Sequence, residues 1–197
     1  MARTRAFNEE EVLQKAIHLF WEKGYHGTSM DDLVKAMGIN RASLYNTFNN
    51  KRQLYERALQ TYRHTNNRQV FQLLERGEPT IATLGQLFQS ATEGKSTTAC
   101  GQRGCFMINS TTELANLDSD IQQLAKENNQ KLVAAIHRFL QRMREAGTLK
   151  SDLDPKGVAQ LIFITYSGLQ INRMMDICPT AIDRVGFAPP PHWRWGR

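Results

Sequence analysis

The chain has 197 residues, of which 41% are hydrophobic, and its 25 Lys and Arg against 19 Asp and Glu give a formal net charge of +6. This composition supports a buried core and excludes a disordered chain. No apolar run reaches about 18 residues, so no membrane span is expected. The polar opening segment, which ends in Glu9, Glu10 and Glu11, lacks the apolar core of a signal peptide, and an odd three cysteines fit a reducing cytoplasm, not a disulfide framework. The modest positive excess permits nucleic acid as a partner without requiring it.

Apolar residues recur at i, i+3 and i+4 from end to end, whereas alternating runs are almost absent, so the chain is predicted to be all-α. The first helix starts after Asn8, with Glu11 completing a capping box, carries Val12, Ala16, Leu19 and Phe20 on one stripe, and ends at Gly24. A second opens at Thr28 with Asp31 in the box position, turns Met30, Leu33, Val34 and Met37 inward, and stops at Gly38. Only Ile39 separates it from Asn40, which caps a short third helix whose Leu44 and Phe48 share a face. Asn50 with Gln53 opens a fourth, which continues through the polar stretch Arg63 to Arg68 to about Leu74 as a connection between two bodies, and Gly77 and Pro79 close it. Residues 79–91 are amphipathic and 94–104 form a glycine-bearing loop. Further helices are predicted at 105–116, at 119–146, and from Pro155 after an Asp154 cap. In this last helix Val158, Leu161, Ile162, Ile164, Tyr166, Leu169 and Ile171 are apolar on more than one face, which calls for cover on all sides, most simply by a second copy of the chain.

Two short helices joined by a tight turn present the second to the DNA major groove. With Leu44 and Phe48 buried, a step of about 100° per residue places Ala42, Ser43 and Asn46 on the far face and Tyr45 at its flank. Arg41 sits at the helix start, where a long side chain can reach a phosphate or a guanine edge. Thr28, Lys51 and Arg52 stand at helix N-termini suited to phosphates, and Arg3 and Arg5 lie on an arm able to enter the minor groove.

The positions Val12-Leu13, Phe20, Gly24-Tyr25, Thr28-Ser29-Met30, Leu33-Val34, Met37-Gly38-Ile39, Leu44-Tyr45, Phe48 and Lys51 to Leu54 together resemble the N-terminal domain of the TetR/AcrR family of bacterial transcriptional regulators. The resemblance implies an N-terminal three-helix helix-turn-helix DNA-binding domain at 6–66 and a C-terminal helical ligand-binding and dimerisation domain at 67–176. It implies a cytoplasmic homodimer that holds a palindromic double-stranded DNA operator as a repressor, released by a small molecule or by an electrophile or oxidant acting on cysteine. DNA contacts carried over by position are Thr28, Asn40, Arg41, Ala42, Ser43, Tyr45, Asn46 and Lys51. The chain departs from the family in Thr47, where a histidine is common, in Asn40, where Ser or Thr is usual, and in the tail 177–197. There Pro189-Pro190-Pro191 cannot be helix interior, which confines any last helix to 179–185.

Cys105 follows Arg103-Gly104 at a predicted helix start, where the helix dipole and the guanidinium favour thiolate, so it is either a reactive sensor, with Cys100 as a possible partner, or a small packed hydrophobe. The run Arg103-Gly104-Cys105-Phe106 with Asn109 and Glu113 resembles a pattern recurring in part of the family. Candidate ligand-lining residues are Phe88, Phe106, Asn109, Thr112, Phe139, Phe163 and Tyr166, which serve equally well as core. The histidines share no metal-ligand spacing, and neither a metal nor a cofactor is expected. Two other readings are an architectural DNA-binding protein without a ligand and an enzyme using Cys105 as nucleophile. No histidine stands near Cys105 as a base and no glycine loop cradles phosphate, so the chain is not expected to be an enzyme.

Overall fold

A computed structural model describes residues 7–92, 103–150 and 152–175, and every regular element within them is helical. The order is α1 (Glu9–Lys23), α2 (Met30–Met37), α3 (Arg41–Phe48), α4 (Lys51–Arg76), α5 (Ile81–Thr92), α6 (Phe106–Leu114), α7 (Ser119–Glu145) and α8 (Pro155–Asn172), closed by a 3-10 turn at Arg173–Met175. Arg3, Arg5, Cys100, Cys178 and the short helix expected at 179–185 lie outside the described residues.

Short polar side chains set the helix starts. Asn8, Asn40, Asn50, Asp118 and Asp154 each accept a backbone N–H of the first turn. Two caps differ from the sequence expectation: Asn8 accepts from Glu10 N and Glu11 N with no reciprocal bond from Glu11 among the described residues, and α2 starts at Ser29, one residue later, with Asp32 completing the box. Thr28 is instead fully buried, and its hydroxyl donates to Gly24 O at 2.6 Å inside the α1–α2 turn.

Two apolar cores follow from the helix faces. The first gathers Ala16, Phe20, Leu33, Met37, Leu44, Phe48, Leu54 and Leu59 from α1 to α4, and it also takes in Phe106, Met107 and Leu114 of α6 and Ile121 of α7. The second is built by Leu74, Leu87, Phe88, Ile136, Phe139, Leu140, Ala159 and Ile162 from α4, α5, α7 and α8. Helix α4 passes unbroken from one core to the other, through residues 66 and 67. Its far end is held by Arg142 of α7, whose guanidinium donates to the carbonyls of Leu74 at 3.1 Å, Glu75 at 2.8 Å and Gly77 at 2.8 Å, groups that the end of a helix leaves without partners.

Helix α8 keeps an uncovered apolar stripe. Ala159, Ile162, Tyr166 and Leu169 face the second core, while Leu161 and Ile164 are more than 60% exposed and Ile171 is 41% exposed. Gly168 lies on the same side with open space where a side chain would stand.

Candidate nucleic-acid interface

The α2–α3 connection is three residues long, Gly38 to Asn40, because Gly38 takes φ 70° and its N–H closes the end of α2 on Val34 O at 3.0 Å. No heavy atom stands within 4 Å of where a Cβ on Gly38 would be, so the glycine is required by the left-handed backbone and not by crowding. Ile39 then drops into the core and Asn40 Oδ1 accepts from Ser43 N at 2.8 Å, which starts α3 at a fixed angle to α2.

With Leu44 and Phe48 of α3 buried, Arg41, Ala42, Tyr45 and Asn46 are exposed and Ser43 is half-buried. Tyr45 is 41% exposed. Arg41 is held by Asp31 of α2 at 3.2 Å, an exposed pair that a phosphate can displace at little cost. Asn40, which is exposed, spends its side-chain oxygen on its own helix, which leaves its amide nitrogen as a donor.

Three expected phosphate ligands are placed differently. Thr28 is occupied inside the turn, as described above. Lys51 is half-buried with its Nζ 4.4 Å from the centre of the Tyr25 ring, and burial pushes its pKa down. Arg52 is turned away from the α3 face toward α7. Its guanidinium donates to both Asp118 oxygens at 2.7 and 2.9 Å and to Asp120 at 2.5 Å, an arrangement that raises its own pKa and holds the Asp118 carboxyl below the usual range.

Arg52 is a first link between the DNA-binding helices and the later part of the chain. A second is Glu113 of α6, whose carboxylate accepts the backbone N–H groups of Tyr25 at 2.9 Å and His26 at 2.8 Å in the turn before α2. Gly24, at φ 73°, leaves the space this carboxylate fills, since a Cβ there would lie 2.8 Å from Glu113 Oε2. Beside it, Trp21 Nε1 donates to Arg103 O at 3.1 Å and Arg103 pairs with Glu22 at 3.2 Å. Sequence reasoning singled out neither Glu113 nor Asp118 for this role, because each meets its partner across more than sixty residues.

The expected sensor and ligand-lining residues are largely packed. Cys105 begins α6 without a side-chain cap, and Tyr62 donates to its Sγ at 3.7 Å. Burial pushes its thiol up, and the Arg103 guanidinium is engaged with Glu22, so the expected bias toward thiolate is not met. Phe106 lies edge-on to Tyr55 and Tyr62 in the first core, and Phe139 is fully buried in the second. Phe88 is buried, Phe163 packs against the second core, and Tyr166 accepts from Gln170 at 3.1 Å with its hydroxyl pushed up to about 12 by burial. Asn109 Nδ2 donates to Arg103 O at 2.9 Å, and the exposed Thr112 hydroxyl to Asn109 O at 2.8 Å. Neither of two open cavities on the surface, one between α4 and α7 and one along α6, α7 and α8, is lined by any of these residues.

An outward α3 on a short glycine turn, backed by a long helix that enters a second helical unit, defines a helix-turn-helix DNA-binding regulator. Residues 12–58 match the model of the bacterial regulatory proteins of the tetR family, and residues 80–187 match that of the tetracyclin repressor-like C-terminal domain. The chain belongs to the TetR family of transcriptional regulators; it is a DNA-binding regulator and not an enzyme. It is 30% identical over 187 residues to the HTH-type transcriptional regulator YezE of Bacillus subtilis (strain 168), covering 89% of this chain and 95% of that one. With the HTH-type transcriptional repressor ComR of Escherichia coli (strain K12) it shares 29% over 174 residues, covering 86% of this chain and 81% of ComR. The solved structure of a cysteine mutant of the TetR family regulator CifR, complexed with 26 bp double-strand operator DNA, superposes with a TM-score of 0.80 at 25% identity, covering 96% of this chain and all of that one. Among the described residues no helix is long and apolar enough to cross a membrane, and no cluster of His, Cys, Asp and Glu has the geometry of a metal site.

Proposed function

We propose that the chain is a repressor that binds a palindromic operator as a homodimer and lets go when a signal reaches its C-terminal helices. The observation that carries this reading is the side of α3 on which Arg41, Ala42, Tyr45 and Asn46 stand exposed while Leu44 and Phe48 anchor it from behind. In this reading α3 lies in the major groove. Arg41, Ser43, Tyr45 and Asn46 meet bases and phosphates, Asn40 and Ala42 pack at the groove edge, and Lys51 supports the backbone contact through its position at the start of α4. Residues 6–66 form the operator-binding unit and 67–176 the sensing and pairing unit. The exposed stripe of Leu161, Ile164, Gly168 and Ile171 supports α8 as the face that pairs with a second copy, because a stripe of this kind is costly to leave in water. A repressor name among the relatives and operator DNA in the CifR complex support the same reading.

Of the two signals open to such a protein, the surroundings of Cys105 favour a bound small molecule over a thiolate switch, since burial holds the thiol protonated. A signal in the C-terminal unit has a short path to the DNA face: Glu113 and Asp118 hold the turn before α2 and the start of α4 directly. The test is a fluorescence-anisotropy titration of the reduced protein against DNA from upstream of its own gene, with random DNA of equal length as competitor at one salt concentration. Specific binding that Arg41→Ala weakens by about 1–3 kcal/mol supports the reading. Equal competition by random DNA from a protein of dimeric mass refutes it in favour of an architectural protein.

A further inference from the structure

We propose that the open cavity between α4 and α7 is a binding site for a small organic anion, a carboxylate or phosphate monoester carried on a flat apolar body. This deepens the reading of a small-molecule signal in the C-terminal unit and rests on it for its regulatory meaning. The cavity has a volume of about 770 Å³, within the range of small-molecule sites. Arg63, Arg68 and Arg76 of α4 and Lys131 of α7 line it, and among the lining residues only Glu75 is acidic.

Three of these cations have no carboxylate within ion-pair distance among the described residues: Arg68, Arg76 and Lys131. The fourth, Arg63, has its side chain 19% exposed. Its Nη1 is buried and forms an ion pair with Glu127 Oε2 at 3.6 Å, without a closer hydrogen bond. An ion pair this long leaves hydrogen-bonding capacity on the guanidinium, whose side chain is partly exposed, and an anionic oxygen held in the cavity is an acceptor that suits it. Asn128, also in the lining, is 7% exposed, and its Oδ1 accepts from Asn67 Nδ2 at 2.6 Å. That bond leaves the Asn128 amide N–H groups as further donors. Phe71, half-buried in the wall, offers a ring surface to the body of the ligand.

Operator phosphates are not the intended occupant. Arg63 stands twelve residues beyond Lys51 on the same helix, about 18 Å along the axis from the end that approaches DNA. A bound anion would bridge Arg63 and Asn67 on α4 to Asn128 and Lys131 on α7 and relieve the repulsion among the cations. Because α4 starts beside α3, a change in how α4 sits on α7 is felt at the DNA face.

The test uses the full-length protein at fixed ionic strength with benzoate, phenyl phosphate and neutral benzamide as probes, read by thermal melting and by calorimetry. Benzoate, phenyl phosphate or both should raise the melting temperature at about millimolar concentration, which assigns the headgroup class, while benzamide should not. Lys131→Gln and Arg63→Gln should each weaken the anion about tenfold or more, whereas Lys150→Gln, an equal loss of charge on an exposed loop, should leave it unchanged. Lys131 is exposed, so its variant is informative even if Arg63→Gln folds poorly. Stabilisation that is absent for both anions, or the same in Lys131→Gln as in the wild type, overturns the site. Operator anisotropy separates the two ideas. Anion bound in the groove with operator affinity unchanged upholds the site and removes it as the signal receiver, whereas operator release by another compound, with no anion bound, leaves the small-molecule reading standing and overturns this site.

Discussion

Replacing Glu113 with glutamine tests whether α6 holds the helix-turn-helix in place. The carboxylate accepts two backbone N–H groups, from Tyr25 at 2.9 Å and His26 at 2.8 Å, one on each oxygen. Glutamine has the same shape but a single acceptor, so one bond survives, weakened by loss of the charge, and the amide NH₂ is set against the other N–H. Hydrogen bonds to charged groups contribute about 1.5–3 kcal/mol each. His26 is exposed and its N–H can turn to water, which places the loss near one such bond, about 1.5–3 kcal/mol. For a chain of this size each kcal/mol moves the melting temperature by about 2–4 °C, so Glu113→Gln should melt about 3–12 °C below the wild type by circular dichroism. Glu145→Gln, an exposed site at the end of α7, should stay within about 0.5 kcal/mol. Operator affinity should fall with Glu113→Gln by less than about tenfold, because the turn before α2 loses its anchor while α3 keeps its own core. A melting temperature within about 1 °C of wild type would refute the argument, and Glu113 would then be a surface carboxylate near the turn and nothing more.

Leu161→Glu with Ile164→Glu should convert a dimer to a monomer of 22.5 kDa by light scattering without loss of helix, and persistence of the dimer would locate the pairing face elsewhere. Asp118 is held below its ordinary pKa by Arg52, so its contribution is complete above about pH 4, the unfolded value, and disappears as pH falls through the lower folded value. Asp118→Asn keeps an N-cap and loses the charge, and its stability should therefore decline less than wild type between about pH 4 and 2; equal declines would sink the assignment. In a Cys100→Ser, Cys178→Ser background, Cys105 should react with iodoacetamide more slowly folded than unfolded at pH 7.5, and an equal rate would show that burial does not hold the thiol.

Much of this protein was written locally in its sequence. Asn8, Asn40, Asn50 and Asp154 as caps, with Gly24 and Gly38 as stops, marked helix ends because capping and left-handed turns depend on neighbours three or four residues away. The 3.6 period told which side of α3 faces outward, since Leu44 and Phe48 left Ala42, Tyr45 and Asn46 no other side. The apolar faces of α8 were equally legible. Tertiary structure decided what each exposed-looking polar residue does. Thr28 looked like a cap and is buried in a turn, and Arg52 looked like a phosphate ligand and is bound to Asp118. Glu113 carried no local signal for its grip on the turn before α2, and the cations of the α4–α7 groove converge only once two helices lie side by side. The physical reason is one of range: capping and amphipathicity act within a turn or two of chain, whereas ion pairs and cavities depend on which distant surfaces the packed cores bring within a few ångströms of one another.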